Sequence, residues 1–374
     1  MRIVNGKVFT DGAFVEQTVH AQGRRFSESG GEADGIVVEA QGCYVIPGLV
    51  DVHFHGCMGH DFCDATSEAY EAIARYEASR GVTAVCPATM TYPEEKLQTI
   101  MEAARAFEAP EDGADLVGIN MEGPFISPDK IGAQNPAYVQ KADAAMFRRL
   151  QEASGGLVKL VDIAPEEKGA LAFVDEVGDS VRVSVAHTCA DYDTACAAFA
   201  HGARQLTHCY NAMPGLHHRK PGPIAAAFDH PDVTPEIIAD GVHIHPSMVR
   251  LAFRIFGDDR VILISDSMEA TGLEDGEYSL GGQPVTVRGN LATLHDGTIA
   301  GSATDLMACL RTAVKDMDIP LASAVKAASA NPARAIGVDA DYGSIEPGKI
   351  ASCALLDEET LEVRAVILRG QVLR

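Results

Sequence analysis

Six ionisable side chains suited to metal-assisted hydrolysis recur at one kind of place along this 374-residue chain, the C-terminal end of a short apolar run. His53 and His55 stand in VDVHFHG, Glu122 in NMEGPF, His187 in SVAHT, His208 in QLTHCYNAM and Asp266 in LISDS. Imidazole nitrogens and carboxylate oxygens are the donors that bind Zn²⁺ and similar divalent ions. The chemistry they offer is activation of water. Water loses a proton with a pKa of about 15.7 in bulk and about 7 on such an ion, a gap worth roughly 12 kcal/mol that a carboxylate alone does not supply. In His53-x-His55, strand alternation points both rings to one side, so both can bind one ion. Glu122 either completes that site or bridges to a second ion held by His187 and His208. Asp266 suits acid/base work, taking a proton from the attacking water and passing it to a departing amine. Simple ligation is its alternative role, and the two can coexist. A lone strand-end histidine is ordinarily structural, but six such groups at matching positions are not independent accidents.

These positions matter only if the apolar runs are strands whose ends meet. Eight runs qualify: Val50–His55, Thr83–Ala88, Leu116–Met121, Val158–Ile163, Val181–Ala186, Arg204–His208, Glu236–Ala239 and Val261–Ser265. Several are nearly continuous in Val, Ile and Leu, which suits parallel strands buried on both faces. Helical segments follow most of them: Ser67–Arg80, stopped by Gly81, then Pro93–Phe107, Asp143–Ala153, Asp191–Ala200 and Pro246–Phe256. Strands alternating with helices predict an α/β fold, a (β/α)8 TIM barrel, in which the C-terminal strand ends converge on the face that holds active sites. Both chain ends read differently. Met1–Val4, Gly35–Glu39 and Tyr44–Ile46 at one end, and Ser352–Leu356 and Val363–Leu368 at the other, are β-rich stretches. They predict a small β-sandwich domain formed from both ends, because domain termini tend to lie close together. The expected division gives 1–47 and 346–374 to that domain and 48–345 to the barrel. Glu277–Thr298 reads as extra strands, an insertion or part of the small domain.

Bulk properties set the outer limits. Hydrophobic residues make up 47% of the chain, enough for a substantial core, which excludes general disorder. Acidic residues number 53 and basic ones 30, a net charge of −23 that opposes any broad grip on nucleic acid. One local Arg or Lys can still hold a small anionic substrate. The N-terminal residues show no secretory pattern, and no apolar run reaches the roughly 18 residues of a membrane span. Nine cysteines without a CxxC pair predict reduced thiols and a cytoplasmic protein.

PGLVDVHFHG, MEGPFIS, AHT, THCYNAMPG, ADGVHIHP, ISDSMEATG and IAGSA, in that order, resemble the N-acetylglucosamine-6-phosphate deacetylase family of the amidohydrolase superfamily. The resemblance runs from about Val45 to the end of the chain. HxH after a strand is shared across the superfamily, while EGPF, His-x-x-Asn-Ala-Met and DGxH together belong more narrowly to the deacetylases. The resemblance implies hydrolysis of the acetamide of N-acetylglucosamine 6-phosphate to glucosamine 6-phosphate and acetate. It implies Glu122, His187 and His208 as principal metal ligands, with His53 and His55 available for a second ion, and Asp266 as the acid/base. It places Asn211 and Ala212 against the sugar and its phosphate, Arg219 on the phosphate, and His243, Ala133 and Ile299 at other substrate contacts. Gln134 stands where some members carry a His that stabilises the tetrahedral oxyanion, and its amide can donate in that role. One or two divalent ions are expected, zinc first, with iron, cobalt or manganese able to use the same donors. A homodimer is expected, with Arg219 or His243 serving its own or the neighbouring subunit's site. Arg219 also lies with His217, His218 and Lys220 in the densest basic cluster of an acidic chain, and a guanidinium grips phosphate with two parallel hydrogen bonds. The rival readings are a cyclic-amide hydrolase or a deaminase, an N-acetylgalactosamine-6-phosphate deacetylase, and a non-catalytic sugar-phosphate sensor.

Overall fold

The computed structural model describes residues 1–29 and 35–373, so residues 30–34 of the expected first segment and Arg374 of the last lie outside it. The middle of the chain is α/β with parallel strands. Leu49–Asp51, Val82–Val85 and Asp115–Leu116 form a three-stranded parallel sheet. Ile119–Met121, Val158–Ile163, Arg182–Val185, Gln205–Leu206, Thr234–Ile238 and Ile262–Ile264 form a six-stranded one in chain order. The third expected run is thus split at Val117–Gly118 between the two sheets. A Cβ on Gly118 would lie 2.5 Å from Lys159 Cγ and 3.0 Å from Cys86 Sγ, so only glycine passes between the neighbouring strands. A parallel bridge between Ala88 and Asn120 joins the sheets at one side. At the other, the Asp266 amide donates to His53 O at 2.9 Å.

Helices cover these strands for local reasons. Thr66, Asp143, Asp191 and Asp305 each accept a backbone N–H at the start of a helix, satisfying donors the helix leaves unpaired. In Glu94–Ala106, Leu97, Ile100, Met101 and Ala104 recur at helical spacing and are buried. Burying each large side chain of such a stripe contributes about 1.5–3 kcal/mol. Val50, Val52, Ala84, Leu160, Ile238 and Ile264, drawn from five strands, meet in a separate buried cluster against Ala333 of the helix Ala330–Ala335.

Both ends of the chain enter one eight-stranded sheet. Arg2–Thr10 pairs with Ala13–Gln22 and Cys43–Pro47, and Cys43–Pro47 pairs antiparallel with Cys353–Asp357. The Glu277–Thr298 region is not part of that sheet. Gly276–Leu280, Gln283–Arg288 and Leu291–Thr293 make a three-stranded antiparallel sheet of their own. All nine cysteines are free. No helix among the described residues is long and apolar enough to cross a membrane.

The helix Ser67–Ser79 hides a carboxyl group from water. Glu77 is 1% exposed, and neither of its carboxylate oxygens has a hydrogen-bond partner among the described residues. Burial, then the nearby Asp51 and Asp305, hold its pKa well above the usual range against the pull of Arg80. The folded chain therefore keeps the proton over a window in which the unfolded chain has lost it. Stability falls as pH rises through that window, by up to about 1.4 kcal/mol per pH unit. Glu77→Gln should match the parent chain at low pH and exceed it at pH 8 in denaturant unfolding; equal pH slopes for the two would show that Glu77 titrates normally.

Candidate metal centre and substrate cavity

The sequence places six donors at strand ends, and the structure brings all six together. Two neighbouring groups each have ligand atoms mutually within 4.8 Å: His53, His55 and Asp266, and Glu122, His187 and His208. Glu122 joins them. Its Oε1 lies 2.9 Å from His187 Nε2, 3.3 Å from His208 Nε2 and 3.4 Å from His53 Nε2. Its Oε2 lies 3.3 Å from His55 Nε2, and that nitrogen is also 3.3 Å from Asp266 Oδ1. All six residues are buried.

The second nitrogens of the rings decide what these contacts mean. His187 Nδ1 is 2.8 Å from Lys130 O, which can only accept, so Nδ1 carries the proton. His53 Nδ1 lies 3.0 Å from Glu236 Oε2. In the neutral rings both Nε2 atoms then turn lone pairs toward carboxylates, a repulsive arrangement unless a cation or a proton lies between. His187 and His208 also face each other through their Nε2 atoms at 3.0 Å. This donor set fits a divalent ion. Partners on the far nitrogen that fix tautomer and orientation are the usual support of a metal-bound histidine.

Without metal, protons do the work of the ion. Burial opposes charging His53, but Glu122 and Glu236 outweigh it and hold its pKa well above the ordinary value. Burial likewise opposes ionising Glu122, and His53, His187 and His208 outweigh that to hold it well below the carboxylate range. Asp266 follows the same pattern: burial raises its pKa, while His55 and His53 lower it further, leaving it depressed.

Local backbone geometry aims these groups. His187, His208 and Asp266 have φ of 42°, 27° and 50°, the left-handed region that side chains seldom adopt. Each follows the last residues of a parallel strand and turns the chain sharply there. Gly123, after Glu122, has φ of 82°, and a Cβ on it would lie 2.1 Å from Thr91 Oγ1. For His53 and His55 the strand stops at Asp51. Their rings meet through the extension beyond it, held by Asp266 N to His53 O at 2.9 Å and Ala88 N to Phe54 O at 2.7 Å, rather than by regular strand alternation.

The donors open into a cavity of about 490 Å³. His55, Glu122, His187, His208 and Asp266 line it, as do the expected substrate contacts Ala133, Gln134, Asn211, Ala212, His243 and Ile299. His53 is absent from the lining because it lies beneath, fully buried. Two of the expected contacts, Arg219 and Gln134, are placed differently from the rest. Arg219 is not in the lining; it is exposed, and its Nη1 donates to His218 Nε2 at 2.6 Å. Gln134 does not present its amide freely to a reacting group. Its Nε2 donates to Glu122 Oε2 at 2.7 Å and its Oε1 accepts from Thr91 N at 2.7 Å, so it orients a carboxylate at the metal centre.

Several supporting groups were not anticipated. Glu236 holds His53 and also accepts from the His208 amide at 3.2 Å and from the Gln205 side chain. Its signal was a lone carboxylate inside the apolar strand Thr234–Ile238. Asp240 takes His243 Nδ1 at 2.7 Å; burial alone would raise its pKa, and His243 lowers it instead. Lys130 brings a cation to the cavity wall, where Asp296 and Thr298 also stand. No periodicity pointed to these three.

The Amidohydrolase family matches residues 44–373. An N-acetylglucosamine-6-phosphate deacetylase of Bacillus subtilis (strain 168) is 37% identical over 333 residues, 88% of this chain and 84% of that protein. An N-acetylgalactosamine-6-phosphate deacetylase of Escherichia coli O157:H7 is 34% identical, covering 90% of this chain and 89% of its own. Among solved structures, a mutant N-acetyl-D-glucosamine-6-phosphate deacetylase from Mycobacterium smegmatis, in complex with N-acetyl-D-glucosamine-6-phosphate, superposes with a TM-score of 0.92 at 32% identity, over 100% of this chain and 99% of that one. A shared scaffold alone would not carry function, but here it comes with a complete set of donors at its strand ends, and the chain belongs to the amidohydrolase family.

Proposed function

We propose that this chain removes the acetyl group of N-acetylglucosamine 6-phosphate, giving glucosamine 6-phosphate and acetate. The observation that carries the reading is the convergence of His55, His187, His208, Glu122 and Asp266 at the cavity wall, with His53 directly beneath. The scaffold in this reading is a closed (β/α)8 barrel over 48–345. Its support is the pair of junctions at Ala88–Asn120 and His53–Asp266. Residues 1–47 and 346–374 form the small β-sandwich domain. Zinc suits the histidine-rich set, with iron, cobalt or manganese as alternatives and one or two ions per chain. When bound, a divalent ion polarises the acetamide carbonyl and lowers the pKa of nearby water.

The residues do the rest. Asp266, ionised by its histidine neighbours, takes a proton from water as the water oxygen bonds to the carbonyl carbon. It then gives that proton to the sugar nitrogen as the carbon–nitrogen bond breaks. Gln134 holds Glu122 in place throughout. Asn211, Ala212 and His243 hold the sugar and its phosphate, and the backbones of Ala133 and Ile299 flank it.

Arg219 is exposed and outside the lining of its own cavity. In this reading the protein is a cytoplasmic homodimer, and each Arg219 grips the phosphate bound by the neighbouring subunit. A relative that acts on the galactosamine substrate makes the epimer the appropriate comparison in any assay.

Three measurements test this. Asp266→Asn should retain metal and lose about 10²–10⁴-fold in kcat on N-acetylglucosamine 6-phosphate; near-normal turnover would remove Asp266 from the chemistry. Glu236→Gln should weaken metal affinity about 10–100-fold by releasing His53, as read by competition with a chelator. Unchanged affinity would make that contact structural. Co-expressed Arg219→Ala and Asp266→Asn chains should regain activity that neither has alone, because a mixed dimer keeps one complete site. No recovery would place Arg219 elsewhere.

A further inference from the structure

Positive charge is scarce in this chain, yet it gathers at the end of the strands opposite the metal centre. A depression of about 460 Å³ lies there, lined by Lys159, Arg182, Arg204 and Arg334, with Asp179 as its one carboxylate. Lys159 is the second residue of one parallel strand and Arg182 the first of the next, and Arg204 immediately precedes a third. His187 and His208 follow the other ends of the second and third of these strands.

The guanidinium groups are partly committed. Arg182 donates from Nε to Gln205 Oε1 at 2.7 Å and from Nη2 to Arg204 O and Thr234 Oγ1, both at 2.8 Å. Arg204 donates from Nη1 to Phe199 O at 2.8 Å and Ala203 O at 2.9 Å. Arg334 donates from Nη2 to Asp259 O at 3.0 Å and Asn331 Oδ1 at 2.7 Å. These bonds anchor the three side chains and leave their other N–H groups and the Lys159 ammonium free. Among the described residues none of the four cations forms an ion pair, although the chain as a whole carries −23. Burial and the charges of Arg204 and Arg334 lower the Arg182 pKa to about 10, so the cations strain against one another. Gly156, Gly178, Gly202 and Gly337 border the depression, and without side chains they leave it open.

We propose that this depression is a second anion site, distinct from the catalytic cavity, and that it takes a small phosphate-bearing ligand. Anchored forks with free N–H groups suit the several oxygens of a phosphate. The volume admits a phosphorylated monosaccharide as readily as free phosphate. The overall negative charge disfavours a long polyanion. The shared chemistry is the phosphate group, and two sources can supply it: inorganic phosphate or a sugar phosphate.

Equilibrium dialysis of the full-length, metal-loaded protein against radiolabelled inorganic phosphate tests the site. Lys159 makes no hydrogen bond, so Lys159→Glu leaves the scaffold intact, and Arg334→Gln at an exposed position gives a second reading. Each variant should bind this phosphate at least tenfold more weakly, with metal content and turnover unchanged. Binding at wild-type affinity and stoichiometry in both variants would overturn the proposal. Competition assigns the source. Displacement of the Lys159-dependent phosphate by glucosamine 6-phosphate at lower concentration than by unlabelled phosphate identifies a sugar phosphate as the ligand. Displacement only at equal or higher concentration identifies free phosphate.

Discussion

Three imidazole nitrogens crowd within 3.4 Å of a single buried carboxylate oxygen, Glu122 Oε1. Hydrogen bonds alone do not hold such a group together. With Nδ1 of His187 committed to a backbone carbonyl, its other nitrogen offers a lone pair to an anion. Positive charge must enter, as a proton in the bare chain and as a metal ion in the working one. The surrounding structure answers that need. Glu236 sets His53, Gln134 sets Glu122, and the Lys130 carbonyl sets His187.

The same need explains the strained turns. A non-glycine residue in the left-handed region costs about 1–3 kcal/mol and persists only where its surroundings enforce it. His187, His208 and Asp266 all adopt it at the point where a parallel strand ends. The backbone bonds Thr188 N to Ala212 O and Ser302 N to Asp266 O, at 3.0 Å and 2.7 Å, hold two of these turns. The strand bodies below are mostly apolar and buried, with the polar exceptions Asp162, Ser184, Gln205 and Glu236. The left-handed turns cluster where the chain leaves a strand for the cavity, and after Gln205–Leu206 they extend beyond His208 to Tyr210 and Ala212.

This separation of body from end governs what could be read from the chain. The apolar runs and the donors closing them were legible because both are local signals, a composition and a residue type at its boundary. Helices such as Pro246–Phe256 were equally plain from spacing and an initial proline. Three features were not. Glu236 opened a run read as a buried strand, and its partner His53 is 183 residues earlier, so only the fold reveals the pair. Gln134 was weighed by its position in a motif, whereas its side chain is held by Thr91 and Glu122 at its two ends. Arg219 stands near the NAM motif in sequence, yet a short stretch of chain carries it outside the cavity of its own chain, the alternative that its position in the sequence left open. The split of the third strand at Gly118 was hidden too, since crowding from Lys159 and Cys86 comes from neighbours distant in sequence.

The eight-stranded sheet that unites the two chain ends bears on how the protein is made. Cys43–Pro47 emerges from a ribosome long before its antiparallel partner Cys353–Asp357. Throughout synthesis the early strand therefore carries an open edge, able to pair with any other extended segment, including that of a neighbouring nascent chain. Loop closure over such a span is slow, and unpaired edges are where aggregation starts. A folding intermediate that lacks Cys353–Asp357 thus keeps the edge of Cys43–Pro47 open, and that edge is where one chain can meet another.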